Sequence, residues 1–251
     1  MNASTQTLVL TAFVVFCRIG GCLLVIPGFS SPRVPVRARL FVAIAIALAL
    51  TPILLVAVQP TIKDAAPIVV LGLIVSESLK GVVIGLLGRL FFAALETMTS
   101  AVSVGIGLTA SIGGIADEEG ETPTLVALVS LVAMLLVFVT DLHWELFRGL
   151  AASYDVFPVS HSFDPRVGMN QLVDGATKTF LFTLRIAAPF LVFSIVANFA
   201  IGLLNKLVPA IPVTFIATPF LVAGGLAILY VTARPALEMF IAAFGAWLKS
   251  G

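Results

Sequence analysis

The chain has 251 residues, 60% of them hydrophobic and 11% charged, with formal net charge +1 and a mean hydropathy of +1.15. That apolar share is well above that of an ordinary water-soluble domain, and a charge near zero provides no basic face for nucleic acid. The composition therefore describes an integral membrane protein with no nucleic-acid partner. It is read as a single domain over residues 1–251, without internal repeats or low-complexity tracts.

The first apolar run, Leu8 to Phe29, has no Lys or Arg before it and no small-residue cleavage site after it, so it is expected to persist as a helix and not as a signal peptide. It holds Arg18 and both cysteines, Cys17 and Cys22, which read as small buried hydrophobes. Five more runs follow, long enough to cross a hydrocarbon core of about 30 Å: Leu40–Val58, Ile68–Leu95, Thr124–Thr140, Phe180–Leu204 and Val213–Thr232. A shorter stretch, Pro235–Leu248, reads as a separate interfacial or packed terminal helix. The expected fold is all-α: about six apolar helices in hairpins, several kinked or broken.

The loop Ser30–Arg39 carries Arg33, Arg37 and Arg39 with no acid. Basic residues in short loops stay on the cytoplasmic side, which places the N-terminus outside and the long stretch Asp141–Thr179 outside as well.

Charges inside the runs constrain their surroundings. Arg18, Glu77, Lys80, Arg89 and Arg185 would each cost at least about 2.5–3.5 kcal/mol facing lipid at the bilayer centre. They are expected to pack within or between subunits. Glu77 and Lys80, three residues apart, share a helix face and form either a structural ion pair or a proton or ion relay. Gly81 and Gly85 make a GxxxG pair for close helix packing, with Gly20, Gly21, Gly202, Gly224 and Gly225 as further small positions. Prolines at 27, 52, 189, 209, 212 and 219 interrupt the runs; Pro189 and Pro219 lie well inside theirs, which asks for protein or a cavity alongside.

Between the third and fourth runs, Val104–Thr124 carries Gly105, Gly107, Gly113, Gly114 and Gly120, then Asp117, Glu118, Glu119 and Glu121 before Pro123. Such a segment is a loop. It reads as a solvated connection or as a re-entrant pore element; its acids lack EF-hand spacing. Signatures of enzymes are absent, no cofactor or metal is implied, and His143 and His161 read as polar surface groups.

Several stretches, taken in order, resemble one family. They are Ser31-Pro32-Arg33-Val34-Pro35-Val36-Arg37 with a second helix reaching Thr51-Pro52; Gly105-Ile106-Gly107-Leu108 before the glycine-rich loop; Phe138-Val139-Thr140-Asp141-Leu142-His143-Trp144; and Leu203-Leu204-Asn205-Lys206-Leu207-Val208-Pro209 continuing through Phe220 to Gly225. This order is similar to that of the FliR/SctT family of type III secretion export-gate subunits. Chain length and the basic first loop favour the flagellar branch over the virulence branch. The resemblance implies a subunit that assembles with FliP-like and FliQ-like proteins into a helical, tapered pore in the bacterial inner membrane, partly raised towards the periplasm within the flagellar basal body. It also implies FlhB-like and FlhA-like neighbours and unfolded flagellar proteins as cargo. Residues Gly105 to Pro123 would match the family's plug loop, although the acids Asp117 to Glu121 are denser than that pattern. A stand-alone transporter or channel, with Glu77, Lys80 and the glycine-rich loop at its midplane, is the alternative of a different class.

Overall fold

The computed structural model describes residues 3–31, 34–63, 65–108, 124–209 and 212–250. Among them are seven helices and no strand: α1 (Ala3–Val25), α2 (Val36–Ile62), α3 (Pro67–Gly105), α4 (Thr124–Val139), α5 (Leu142–Val156), α6 (Pro165–Leu207) and α7 (Val213–Ser250). Five are long and apolar enough to cross a membrane, and the α4–α5 pair, broken at residues 140–141, makes up to six. The protein is an all-α membrane protein.

Three helices run ten or more residues beyond their apolar runs. α3 continues ten residues past Leu95, α6 starts at Pro165, and α7 passes through Pro235 to Ser250. The expected separate terminal helix Pro235–Leu248 is thus the last part of α7. Hydropathy marks where a helix can meet lipid, whereas backbone hydrogen bonding continues wherever no residue forbids it. α6 has a clear start: Asp164 Oδ1 accepts the Arg166 N–H at 2.8 Å, with Pro165 in the first position, where its missing N–H costs nothing.

Of the prolines inside the runs, Pro52, Pro189 and Pro219 are not breaks, whereas α1 ends at Val25, just before Pro27. Pro52 and Pro60 lie within α2, Pro189 within α6, and Pro219 and Pro235 within α7. Thr51 and Thr218, each directly before a proline, donate to the carbonyl four residues earlier; polar side chains bonding to the backbone help a helix tolerate proline in lipid. The break that does occur between apolar helices is at Thr140–Asp141, where Asp141 adopts a left-handed φ of 58°.

The chain forms two compact units. Unit 1 holds residues 1–91, 137–177 and 244–251. In it α1 crosses α3 closely, with α2 packed on α1. At one end Phe91 meets Phe244 edge-on at 5.6 Å and Trp247 at 5.5 Å. Unit 2 holds residues 92–136 and 178–243. Its core joins Val102 and Ile106 of the α3 end to Ala187 and Phe190 of α6, and Phe92 meets Phe240 edge-on at 5.3 Å.

Candidate functional site

Glycine lets α1 and α3 approach until backbone meets backbone. A Cβ on Gly81 would lie 2.0 Å from the Arg18 carbonyl oxygen, one on Gly85 2.7 Å from that of Cys22, and one on Gly21 2.6 Å from that of Ser78. This proximity buries whatever side chains flank the crossing, and those are charged. Arg18 and Glu77 are 0% exposed and Lys80 4%.

Arg18 Nε donates to Glu77 Oε2 at 2.6 Å, and Lys80 Nζ donates to Glu77 Oε1 at 2.8 Å. Two cations therefore share one carboxylate. The surplus positive charge meets the end of α5 and the connector after it. Arg18 Nη1 donates to Ser153 Oγ at 3.0 Å and Nη2 to the Phe157 carbonyl at 2.8 Å. Lys80 donates to the carbonyls of Pro158, at 3.0 Å, and His161, at 2.8 Å. Helix C-termini carry partial negative charge that favours cations. The Arg18 guanidinium also lies 3.7 Å from the centroid of the Tyr154 ring, close enough for a cation–π contact.

This geometry is a densely bonded, buried network. All three Lys80 donors are engaged, both Glu77 oxygens accept, and Arg18 is held in plane by three partners. A relay needs a group that can exchange its proton with water, and nothing here is left open to it.

The other charges expected to pack within or between subunits, Arg89 and Arg185, lie away from this cluster. Arg89 and Arg185 are exposed, and neither forms an ion pair among the described residues. Of the glycine-rich segment, Gly105 ends α3 and Gly107 has φ +75°. A Cβ there would sit 3.4 Å from Leu221. Gly113, Gly114, Asp117, Glu118, Glu119, Gly120, Glu121 and Pro123 lie outside the described residues, as does Arg33 of the basic loop. His143 is the second residue of α5, and exposed His161 lends its carbonyl to Lys80. No group of three metal-ligating side chains occurs among the described residues.

The sequence pairs Glu77 with Lys80 and marks Arg18 as a charge needing cover, but it points neither to the Arg18–Glu77 contact nor to Ser153, Tyr154 and the connector carbonyls. One signal was available: Glu77 is the only acid in the first three apolar runs, and Arg18 is the only charge in the first, so each needed the other.

Unit 2 contains a partly open apolar pocket of about 210 Å³ between α3, α4, α6 and α7, bounded by Met98, Val102, Leu128, Phe190 and Leu229 among others. Two polar groups on its wall, Thr99 and Thr232, donate to backbone carbonyls four residues back.

The family described as "Bacterial export proteins, family 1" matches residues 9–247. The chain belongs to this family. Three relatives are named flagellar biosynthetic protein FliR. The protein from Caulobacter vibrioides is 31% identical over 230 residues, covering 91% of each chain. That from Escherichia coli K12 is 25% identical, covering 81% of this chain and 76% of its own, and that from Pectobacterium carotovorum is 23% identical, covering 84% and 79%. Family and relatives together indicate a flagellar export component, and apolar helices of this length place such an export protein in the inner membrane.

Proposed function

We propose that this chain is a subunit of the flagellar type III export gate, forming with FliP-like and FliQ-like subunits the pore through which unfolded flagellar proteins cross the inner membrane. One observation carries the reading. In the most apolar stretches of α6 and α7 only 11% of the residues are buried within the chain, against 50% in α1. Yet the exposed surfaces of α6 and α7 carry Lys178, Arg185, Asn198, Asn205 and Arg234 among Val192, Ile195, Phe199 and Tyr230. Charges facing lipid are costly, so these faces call for protein neighbours or a wet lumen.

On this reading FlhB-like and FlhA-like components adjoin the assembly, and part of it stands on the periplasmic side. The segment Gly105–Pro123 is the closure of the pore. Glycine fits a narrow lumen and moves aside at small conformational cost. Burial of Glu77 and Lys80 among protein partners supports a structural ion pair over the midplane site that a stand-alone transporter would need.

Purification from membranes tests this. Stable co-isolation with FliP-like and FliQ-like proteins, and loss of flagellar export when the chain is deleted, is the expected result. A monodisperse homo-oligomer that transports a solute unaided would overturn it. Deleting residues 107–120 should make the assembled pore leak ions; unchanged conductance would reduce that segment to a connector.

A further inference from the structure

We infer that residues 157–163, the connector between α5 and α6, form a strap that opens and closes over the Arg18–Glu77–Lys80 cluster as a single two-state unit. The inference concerns the mechanics of unit 1 and stands apart from the pore reading.

The strap has no helix of its own, and its fastenings all run to the cluster's neighbourhood. Three consecutive attachments are carbonyls of Phe157, Pro158 and His161, held by Arg18 and Lys80. A fourth is the Phe163 N–H, donated to Ser76 Oγ at 2.9 Å, one residue before Glu77. Val159 is the apolar anchor, 2% exposed.

Strap and cluster require each other. Two buried cations on one carboxylate leave an excess of positive charge, and the carbonyl dipoles of the strap are what meets it. A buried charge left short of partners is heavily penalised. Lifting any one of the three carbonyls therefore strands a donor on a cation, and lifting the Phe163 N–H strands a backbone donor, while the other fastenings still exclude water. Lifting all of them lets water solvate both sides at once. Partly open states are the disfavoured ones, which makes the opening cooperative.

The strap also leads directly into α6. Asp164 caps that helix, and its first turns rest on unit 1. The position of Gly168 is filled by the Phe163 ring and Val83, and that of Gly175 by Leu87. Opening the strap releases the Phe163 side of this seat, so the cluster sets how firmly the start of α6 is held.

The test uses the full chain in its native membrane complex. Val159→Cys places a thiol under the strap; the parent chain, whose Cys17 and Cys22 are both buried, gives the baseline. Maleimide labelling of Val159→Cys should be slow, and adding Lys80→Met should speed it by about tenfold or more, because two of the strap carbonyls lose their donor. A labelling rate changed by less than about twofold would overturn the inference. Should Lys80→Met fail to accumulate, hydrogen exchange on the unsubstituted chain decides. Amides of Phe157, His161 and Phe163 exchanging through one common opening support the strap, and three unrelated opening rates overturn it.

Discussion

Arg18 and Glu77 stand 59 positions apart and meet at 2.6 Å with neither side chain exposed. Each is the other's reason for being tolerated inside an apolar protein. Truncating one partner of a buried pair leaves an uncompensated charge and costs about 3–5 kcal/mol. Glu77→Ala should therefore be the most damaging change in unit 1, since it leaves two cations together, and Lys80→Met milder, since one cation and one carboxylate remain. Thermal unfolding of the purified complex checks the order. Because the partners act together, Arg18→Met with Glu77→Met should cost less than the two single changes added.

The α1–α3 crossing makes a second expectation with an internal control. Gly81→Ala puts a methyl group within 2.0 Å of the Arg18 carbonyl oxygen, which only separating the helices can relieve, at a cost of about 1–3 kcal/mol or more. Gly72, on the same helix, has nothing within 4 Å of its absent Cβ, so Gly72→Ala should be neutral or stabilise by up to about 1 kcal/mol through helix propensity. Equal losses at the two sites, read from melting temperatures, would show that the crossing tolerates spacing.

How much of this could be read from the sequence follows the range of each interaction. Helix content and the membrane class come from composition, which is a sum over residues and needs no partner. The start of α6 was local too, in Asp164-Pro165, yet the apolar run drew attention to Phe180 instead. Arg18 with Glu77 was half legible: the cost of each charge showed that a partner existed, but spacing favoured Lys80, because only near neighbours share a visible register. The carbonyls of Phe157, Pro158 and His161 carried no signal, since every residue has one. Arg89 and Arg185 show the reverse limit. Their cost in lipid is legible, while neither forms an ion pair among the described residues.

The pocket in unit 2 offers a stabilising change. Its wall is apolar and its threonines are already bonded to backbone, so it has nothing to offer water. Ala236→Leu, from the α7 wall, should fill part of the 210 Å³ and raise stability by about 0.5–2 kcal/mol. Phe190→Ala, which enlarges the same space, should cost about 3–5 kcal/mol. A higher melting temperature for the first and a lower one for the second is the expected pair.

At Gly107 the backbone itself sets the requirement. Its φ of +75° suits glycine and strains a β-branched residue, at about 1–3 kcal/mol. Gly107→Val should shift the exit of the chain from α3 while leaving the Val102–Ile106 core formed. If the segment beyond closes a pore, conductance of the assembled complex should rise in this variant with little change in its abundance; a fall in abundance alone would mark Gly107 as structural.

Arg185 separates the stability of the chain from that of the assembly. It is exposed on α6 and has no ion pair among the described residues, so Arg185→Leu removes nothing that holds this chain together. A surface change of this kind is expected to alter the stability of the single chain by no more than about 0.5 kcal/mol. Inside an assembly the same residue would face a partner's acid or a wet lumen, because lipid would penalise it. The leucine variant should therefore accumulate and melt like the parent when isolated, yet co-purify poorly with its neighbours or export less. Restoration by Arg185→Lys would indicate that charge is what the neighbouring surface reads, whereas undiminished assembly with leucine would mean that this face of α6 meets lipid after all.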